Sequence, residues 1–175
     1  MNEISKLRCH QCVLLDWGDT VMRVFPEYTG PMEEWPRVEV VPGIVDAVRQ
    51  IRRHALVSLA TNAADSNERA IRAALARVGL DELFDHIFCF DVVGHRKPTT
   101  AHTQTVLQKL GLTPESTFMV GDDFDVDVCG AIGLGIRSVW LNPLTDEDRF
   151  GTLHRTIHSL DTVIEALVDL GFLRS

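Results

Sequence analysis

Nothing in the 175 residues is apolar for long enough to cross a bilayer, and the opening stretch, Met1 to Arg8, is polar rather than a cleavable leader. The expected compartment is therefore the cytoplasm, with no membrane partner. Positive charge is scarce as well: 17 Lys and Arg against 25 Asp and Glu leave a net charge of -8. A nucleic-acid ligand needs cations to displace phosphate counterions, so a duplex partner is not expected either. Cysteine is sparse, at Cys9, Cys12, Cys89 and Cys129. Cys9-His10-Gln11-Cys12 has the spacing of half a zinc site or a redox pair, but no second pair exists. Cys12 opens an apolar run in which a small thiol packs well, so ordinary reduced cysteines are expected. Repeats, low-complexity tracts and linkers are lacking too, and a chain of this length makes one domain, residues 1–175.

What is present is an alternation of compact apolar runs and amphipathic stretches. The runs are Cys12 to Asp16, Ala55 to Ala60, His86 to Phe90, Thr117 to Val120 and Ile136 to Leu141. Apolar residues in succession suit parallel strands covered on both faces. Between them, Val45, Ala47, Val48 and Ile51 mark one helix, and Ala70, Ile71, Ala74, Leu75 and Val78 a second that stops at Gly79. Val106, Leu107 and Leu110 mark a third, stopped by Gly111. A last helix spans Leu160 to Leu170, capped by Ser159 or Asp161. The pattern predicts a doubly wound α/β fold: a mostly parallel sheet of five or six strands flanked by helices, without a separate cap domain. The irregular segment at about 22–41, with Phe25, Tyr28 and Trp35 among prolines, reads as a flap over the sheet edge, and Trp17 as a residue packing it.

In such a sheet, chemistry gathers at the carboxyl ends of the strands. Those ends carry Asp16-Trp17-Gly18-Asp19-Thr20, Thr61-Asn62, His95-Arg96-Lys97-Pro98, and Gly121-Asp122-Asp123-Phe124-Asp125-Val126-Asp127. Four aspartates crowded into the last segment repel one another unless a cation sits among them, and carboxylate oxygens without nearby His or Cys select Mg²⁺. A carboxylate such as Asp16 can attack phosphorus. A hydroxyl at Thr61 and an ammonium at Lys97 can hold phosphoryl oxygens and neutralise developing charge.

The order of these pieces resembles the four motifs of the haloacid dehalogenase (HAD) superfamily: Asp-x-x-x-Thr, then Thr, then Lys-Pro, then Gly-Asp-Asp with a further Asp. The resemblance runs from about Val13 to Asn142, with a family-like tail at Ile157 to Leu167. It implies a Mg²⁺-dependent phosphatase working through an aspartyl-phosphate at Asp16. By that likeness Asp16, the Gly18 carbonyl and Asp122 hold the metal, and Asp127 bonds Lys97 or a metal-bound water. Thr61, the Asn62 N–H and Lys97 bind phosphate. Asp123 stands where relatives often carry serine.

Two departures are visible. Phosphatases of the superfamily usually read Asp-x-Asp-Gly-Thr, and the second Asp moves protons as general acid and base. Here Gly18 takes that place and Asp19 follows it. Asp19 can swing in as the catalytic acid/base; the chain can resemble members that lack this acid, such as phosphonatases, dehalogenases or transport ATPases; or it is a catalytically impaired Mg²⁺- and phosphate-binding protein. A metal-free dehalogenase has no use for the acidic fourth motif, and residues 22–41 hold no lysine for phosphonatase chemistry. The second departure is the missing cap. By resemblance, capless members act on large phosphorylated substrates or borrow a lid from a neighbouring subunit, so the substrate is a phosphorylated small molecule or macromolecule, and a homo-oligomer is a possible partner.

Overall fold

An apolar run without alternation has two faces to bury, and a central parallel strand between helical layers buries both. The computed structural model, which describes residues 10–173, builds this arrangement. Its strands are β1 (Cys12–Leu15), β2 (Leu56–Ala60), β3 (His86–Phe88), β4 (Thr117–Gly121), β5 (Arg137–Leu141) and β6 (His154–Ile157). They form one sheet in the order β3-β2-β1-β4-β5-β6, and each neighbouring pair is parallel. The five apolar runs of the sequence are β1 to β5. β6 is the edge strand that the polar HRTI segment hides from pattern reading.

The helices are α1 (Ile44–Ile51), α2 (Glu68–Arg77), α3 (Phe90–Val93), α4 (Thr100–Leu110), α5 (Gly130–Ile132) and α6 (Val163–Asp169). Val13 and Leu15 face one layer, packed with Ile44, Val48, Ile71, Leu75 and Leu167 of α1, α2 and α6. Cys12 and Leu14 face the other, with Val93, Val106, Leu107 and Ala131 of α3, α4 and α5. Successive side chains thus alternate between two apolar layers, the period-2 geometry of a strand buried on both sides. Gly79 and Gly111 take φ of 72° and 65°, the left-handed turn that ends a helix without a Cβ penalty. The Ser159 side chain, not Asp161, caps the final segment by accepting the Asp161 N–H at 3.2 Å. That segment begins as a 3-10 turn, Leu160–Thr162, before continuing as α6.

The segment at 22–41 is stitched to the body. Met22, Phe25, Met32 and Trp35 join the α1/α2 layer. Arg77 on α2 donates to the carbonyls of Glu33 at 2.9 Å and Trp35 at 2.7 Å. Trp17 is 5% exposed in the same cluster. No separate cap domain exists among the described residues. Cys9 lies outside them; Cys12, Cys89 and Cys129 are free thiols, and burial pushes the Cys12 thiol up to about 12. No described helix is long and apolar enough to cross a membrane.

The site-determining feature is the strand order. β1 is flanked by β2 and β4, so the connections reverse direction there and leave a crevice outside the strand ends. The register pairs Leu15 with Val120, and Asp16 N–H donates to the Val120 carbonyl at 2.9 Å. Asp16 and Asp122 therefore emerge side by side.

Candidate active site

Asp16 follows β1 directly, and its side chain is 15% exposed. Its Oδ1 accepts from Lys97 Nζ at 2.5 Å, and the same ammonium donates to Asp127 Oδ1 at 2.7 Å. Lys97 and Asp127 are buried, at 8% and 2% exposure, so the lysine is a sealed bridge between two carboxylates and not a solvated surface cation. Burial works against the charge on Lys97, but Asp16 and Asp127 outweigh it and raise the pKa. The ammonium keeps its proton.

One oxygen from each of Asp16, Asp122 and Asp127 lies within 4.8 Å of the others. Burial, together with the charge of Asp16, pushes Asp122 up to about 6, against the Thr20 hydroxyl, which donates to Asp122 Oδ1 at 3.2 Å. Burial and the Asp16 charge raise Asp127 as well, opposed by Lys97. A carboxylate held above its ordinary value beside other carboxylates marks a place that favours a cation. The donors are all oxygen, which suits Mg²⁺. Asp127 uses Oδ1 on Lys97 and Oδ2 on the Asp123 N–H at 3.3 Å, so it fits the metal less well than Asp16 and Asp122, each of which keeps one oxygen outside any hydrogen bond among the described residues.

The fourth loop reaches this geometry through a turn the sequence did not announce. Residues Phe124–Cys129 form a π-helix that runs into α5. Asp123 caps it, its Oδ1 accepting from the N–H groups of Asp125 and Val126 at 3.0 and 2.9 Å. A serine could do the same, which accounts for the acid at this position. Asp125 is exposed. A Cβ on Gly121 would stand 2.1 Å from Asp127 Oδ2, so only glycine lets that side chain fold back over the strand end.

At the neighbouring strand end, Thr61 is 4% exposed and its hydroxyl oxygen accepts the Ala63 N–H at 3.0 Å. The Asn62 backbone N–H has no acceptor among the described residues. Sequence reasoning missed the task of the Asn62 side chain. Its Oδ1 accepts from Lys97 N–H at 2.8 Å and its Nδ2 donates to the Lys97 carbonyl at 2.9 Å. An amide is the neutral side chain that can pair with a peptide in this two-bond fashion, and an Asn between a strand end and a Lys-Pro was the available signal.

Asp19 is not one of the three clustered carboxylates. It sits in a left-handed turn, φ 51°, exposed, with Oδ1 accepting the Val24 N–H at 3.0 Å. Gly18 beside it has no room for a side chain unless Val24 moves, because a Cβ there would lie 2.9 Å from Val24 Cγ2.

A family model for haloacid dehalogenase-like hydrolases matches residues 12–135, which span all four strand-end loops. The chain belongs to the haloacid dehalogenase-like hydrolase family. A glyceraldehyde 3-phosphate phosphatase from Methanothermobacter thermautotrophicus is 34% identical over 76 residues, 43% of this chain and 34% of that enzyme. A ribulose-1,5-bisphosphate 5-phosphatase from Halopiger xanaduensis is 26% identical over 140 residues, 76% of this chain and 57% of that protein. This HAD-like chain therefore spans only about a third to just over half the length of these two curated relatives. Among solved structures, an uncharacterized protein from Listeria monocytogenes serotype 4b superposes with a TM-score of 0.78 at 25% identity, over 91% of this chain and 98% of that one.

Proposed function

We propose that this HAD-like chain is a Mg²⁺-dependent phosphoric-monoester hydrolase in which Asp16 is the nucleophile. The observation that carries the reading is the bridge Asp16–Lys97–Asp127 with Asp122 alongside, in which Asp16 alone of the bridge's three members keeps a partly open face toward the crevice. The phosphatase relatives support the same chemistry.

In this mechanism the free oxygen of Asp16 attacks phosphorus and the leaving oxygen departs on the opposite side, giving an aspartyl-phosphate that water then cleaves. Lys97 fixes the rotamer of Asp16 and places positive charge where phosphoryl oxygens gather. Asp127 holds Lys97 from behind, and Asn62 holds its backbone. The Thr61 hydroxyl and the Asn62 N–H, which has no acceptor of its own, supply further donors to the phosphoryl group. Asp16, Asp122 and the Gly18 carbonyl would hold Mg²⁺, with Asp127 behind them, and the ion would screen the anionic nucleophile from an anionic substrate. The free thiols fit a cytoplasmic setting. The substrate is a phosphorylated small molecule or macromolecule, and a second subunit can supply a lid over the crevice.

One observation favours a second reading, a Mg²⁺- and phosphate-binding protein with little turnover: Gly18 carries no acid, and Asp19 is fastened to Val24. Turnover of simple phosphate esters with Mg²⁺ and with EDTA separates the two. Mg²⁺-dependent hydrolysis that disappears in Asp16→Asn is expected, together with loss in that variant of the thermal stabilisation that beryllofluoride and Mg²⁺ give the native chain. Unchanged hydrolysis in Asp16→Asn would remove the nucleophile and the whole scheme.

A further inference from the structure

A site lined by aspartates in a chain of net charge -8 must still attract an anion. Lys97 does little for this at long range, because two carboxylates already neutralise it. The loops that follow β1 to β5 carry four arginines, namely Arg23, Arg37, Arg96 and Arg149. Arg23 and Arg37 pair with Glu39 at 3.1 and 3.2 Å, and Arg149 pairs with Glu147 at 2.8 Å. Arg96 alone of the four has no carboxylate partner among the described residues.

Arg96 is nonetheless held in place. Its Nη1 donates to the Asn62 carbonyl at 3.0 Å, and its guanidinium carbon lies 5.2 Å from the centre of the Phe90 ring. Both anchors are neutral. They fix the position of the guanidinium and leave its charge uncompensated, with four of its five N–H groups outside any hydrogen bond among the described residues. The location is specific. Asn62 carries the N–H offered to the phosphoryl group, and its side chain grips the backbone of Lys97, the next residue after Arg96. One strand end thus holds a buried cation beside the nucleophile and an exposed, pre-positioned guanidinium at the rim. A planar fork of donors matches a carboxylate or phosphate in two-bond fashion.

We propose that Arg96 is a specificity-determining residue that binds a second oxyanion of the substrate, so that the substrate class is a short phosphomonoester carrying a further carboxylate or phosphate. This rests on the phosphatase reading above and narrows it. The ring of Phe90, 43% exposed, provides an apolar wall beside the guanidinium and limits its freedom.

The test compares three probes with the native chain in Mg²⁺: glycerol 3-phosphate, with no second anion; 3-phosphoglycerate, with a carboxylate; and 1,3-propanediol bisphosphate, with a second phosphate. KM is expected to be lower for one or both doubly anionic probes, and the better of the two identifies the group recognised. In Arg96→Gln that preference should collapse, the KM ratio moving about fivefold or more towards one with kcat little affected, as the loss of one charge-assisted contact at an exposed rim predicts. Arg96→Lys should recover part of it. A ratio unchanged in Arg96→Gln, or a KM increase equal for all three probes with a lowered melting temperature, would make Arg96 a loop strut and overturn the proposal. Should none of the probes turn over, calorimetric binding of the same three in Mg²⁺ replaces KM. A preference lost in Arg96→Gln then upholds the second-anion site even though hydrolysis fails, and equal binding overturns it. No binding of any probe removes the phosphatase reading and this one together.

Discussion

At the scale of single residues, proton transfer in the proposed reaction turns on two neighbours, Gly18 and Asp19. Asp19 lies near enough to add to the repulsion on Asp122, yet its carboxylate caps the Val24 N–H from a left-handed turn. Asparagine keeps the Oδ1 acceptor and tolerates positive φ, so Asp19→Asn removes the acid while preserving the turn. Turnover within about twofold of the native rate is expected, and a fall of about 10²-fold would instead make Asp19 the proton carrier. Introducing an acid at Gly18 requires space that Val24 now occupies, so Gly18→Asp needs Val24→Ala beside it. With a poor leaving group that double variant should gain up to about 10²-fold in kcat, since such substrates depend most on proton donation. No gain with a folded variant would show that proton transfer does not limit the reaction.

At the scale of elements, the site is assembled by close backbone approaches. α5 begins at Gly130, where an added Cβ would meet Pro98 Cβ at 2.7 Å and Pro98 Cα at 3.0 Å. That close approach seats the Lys97–Pro98 loop on the start of α5, which continues the π-helix carrying Asp127, the partner of Lys97. Gly130→Ala should cost about 1–3 kcal/mol through overpacking. It should also move Lys97 off its bridge, so that kcat falls more than the melting temperature alone would suggest. Native kcat in a variant with a lowered melting temperature would show that the approach serves packing only. The π-helix at Phe124–Cys129 belongs to the same logic: a wider turn following Asp123 sets Asp127 back towards Lys97 while Asp122 stays at the strand end.

For the whole molecule, the charge balance of the crevice links stability to cation and pH. Only the native state gathers Asp16 and Asp122, so Mg²⁺ should raise the melting temperature relative to EDTA. Without a cation Asp122 stands at about 6, above its ordinary 3.8, so in the folded state it takes up a proton as pH falls through 6. Protons then compete with Mg²⁺, and the gain from Mg²⁺ should be full at pH 7.5 and shrink below pH about 6. His102 acts oppositely. Burial beside Lys97 lowers it to about 4, so its contribution is present above its unfolded value of 6.5 and is lost as pH falls from there towards 4. Taking the difference between Mg²⁺ and EDTA melts cancels His102 and isolates the acidic cluster. A Mg²⁺ increment that is zero, or that does not change between pH 7.5 and 5, would count against the metal site.

The sequence by itself determined the doubly wound sheet and the list of strand-end residues. Five strands are compact, mostly apolar runs, and the clusters of polar residues that follow them fall where each strand must end, so period and punctuation carry that information locally. β6 was illegible because an edge strand needs only one partner and few apolar residues. The tertiary structure alone decided how the strand-end residues divide their work. Asp123 became a cap, Asp127 the partner of a buried lysine, and Asp19 a turn residue, although all are aspartates in the same two loops. It alone showed that Asn62 grips Lys97 and that Arg96 has no carboxylate partner among the described residues while Arg23, Arg37 and Arg149 are paired. Which oxygen meets which proton depends on contacts between loops far apart in sequence, set by strand register and by glycines that let backbones touch. Spacing along the chain does not encode those distances.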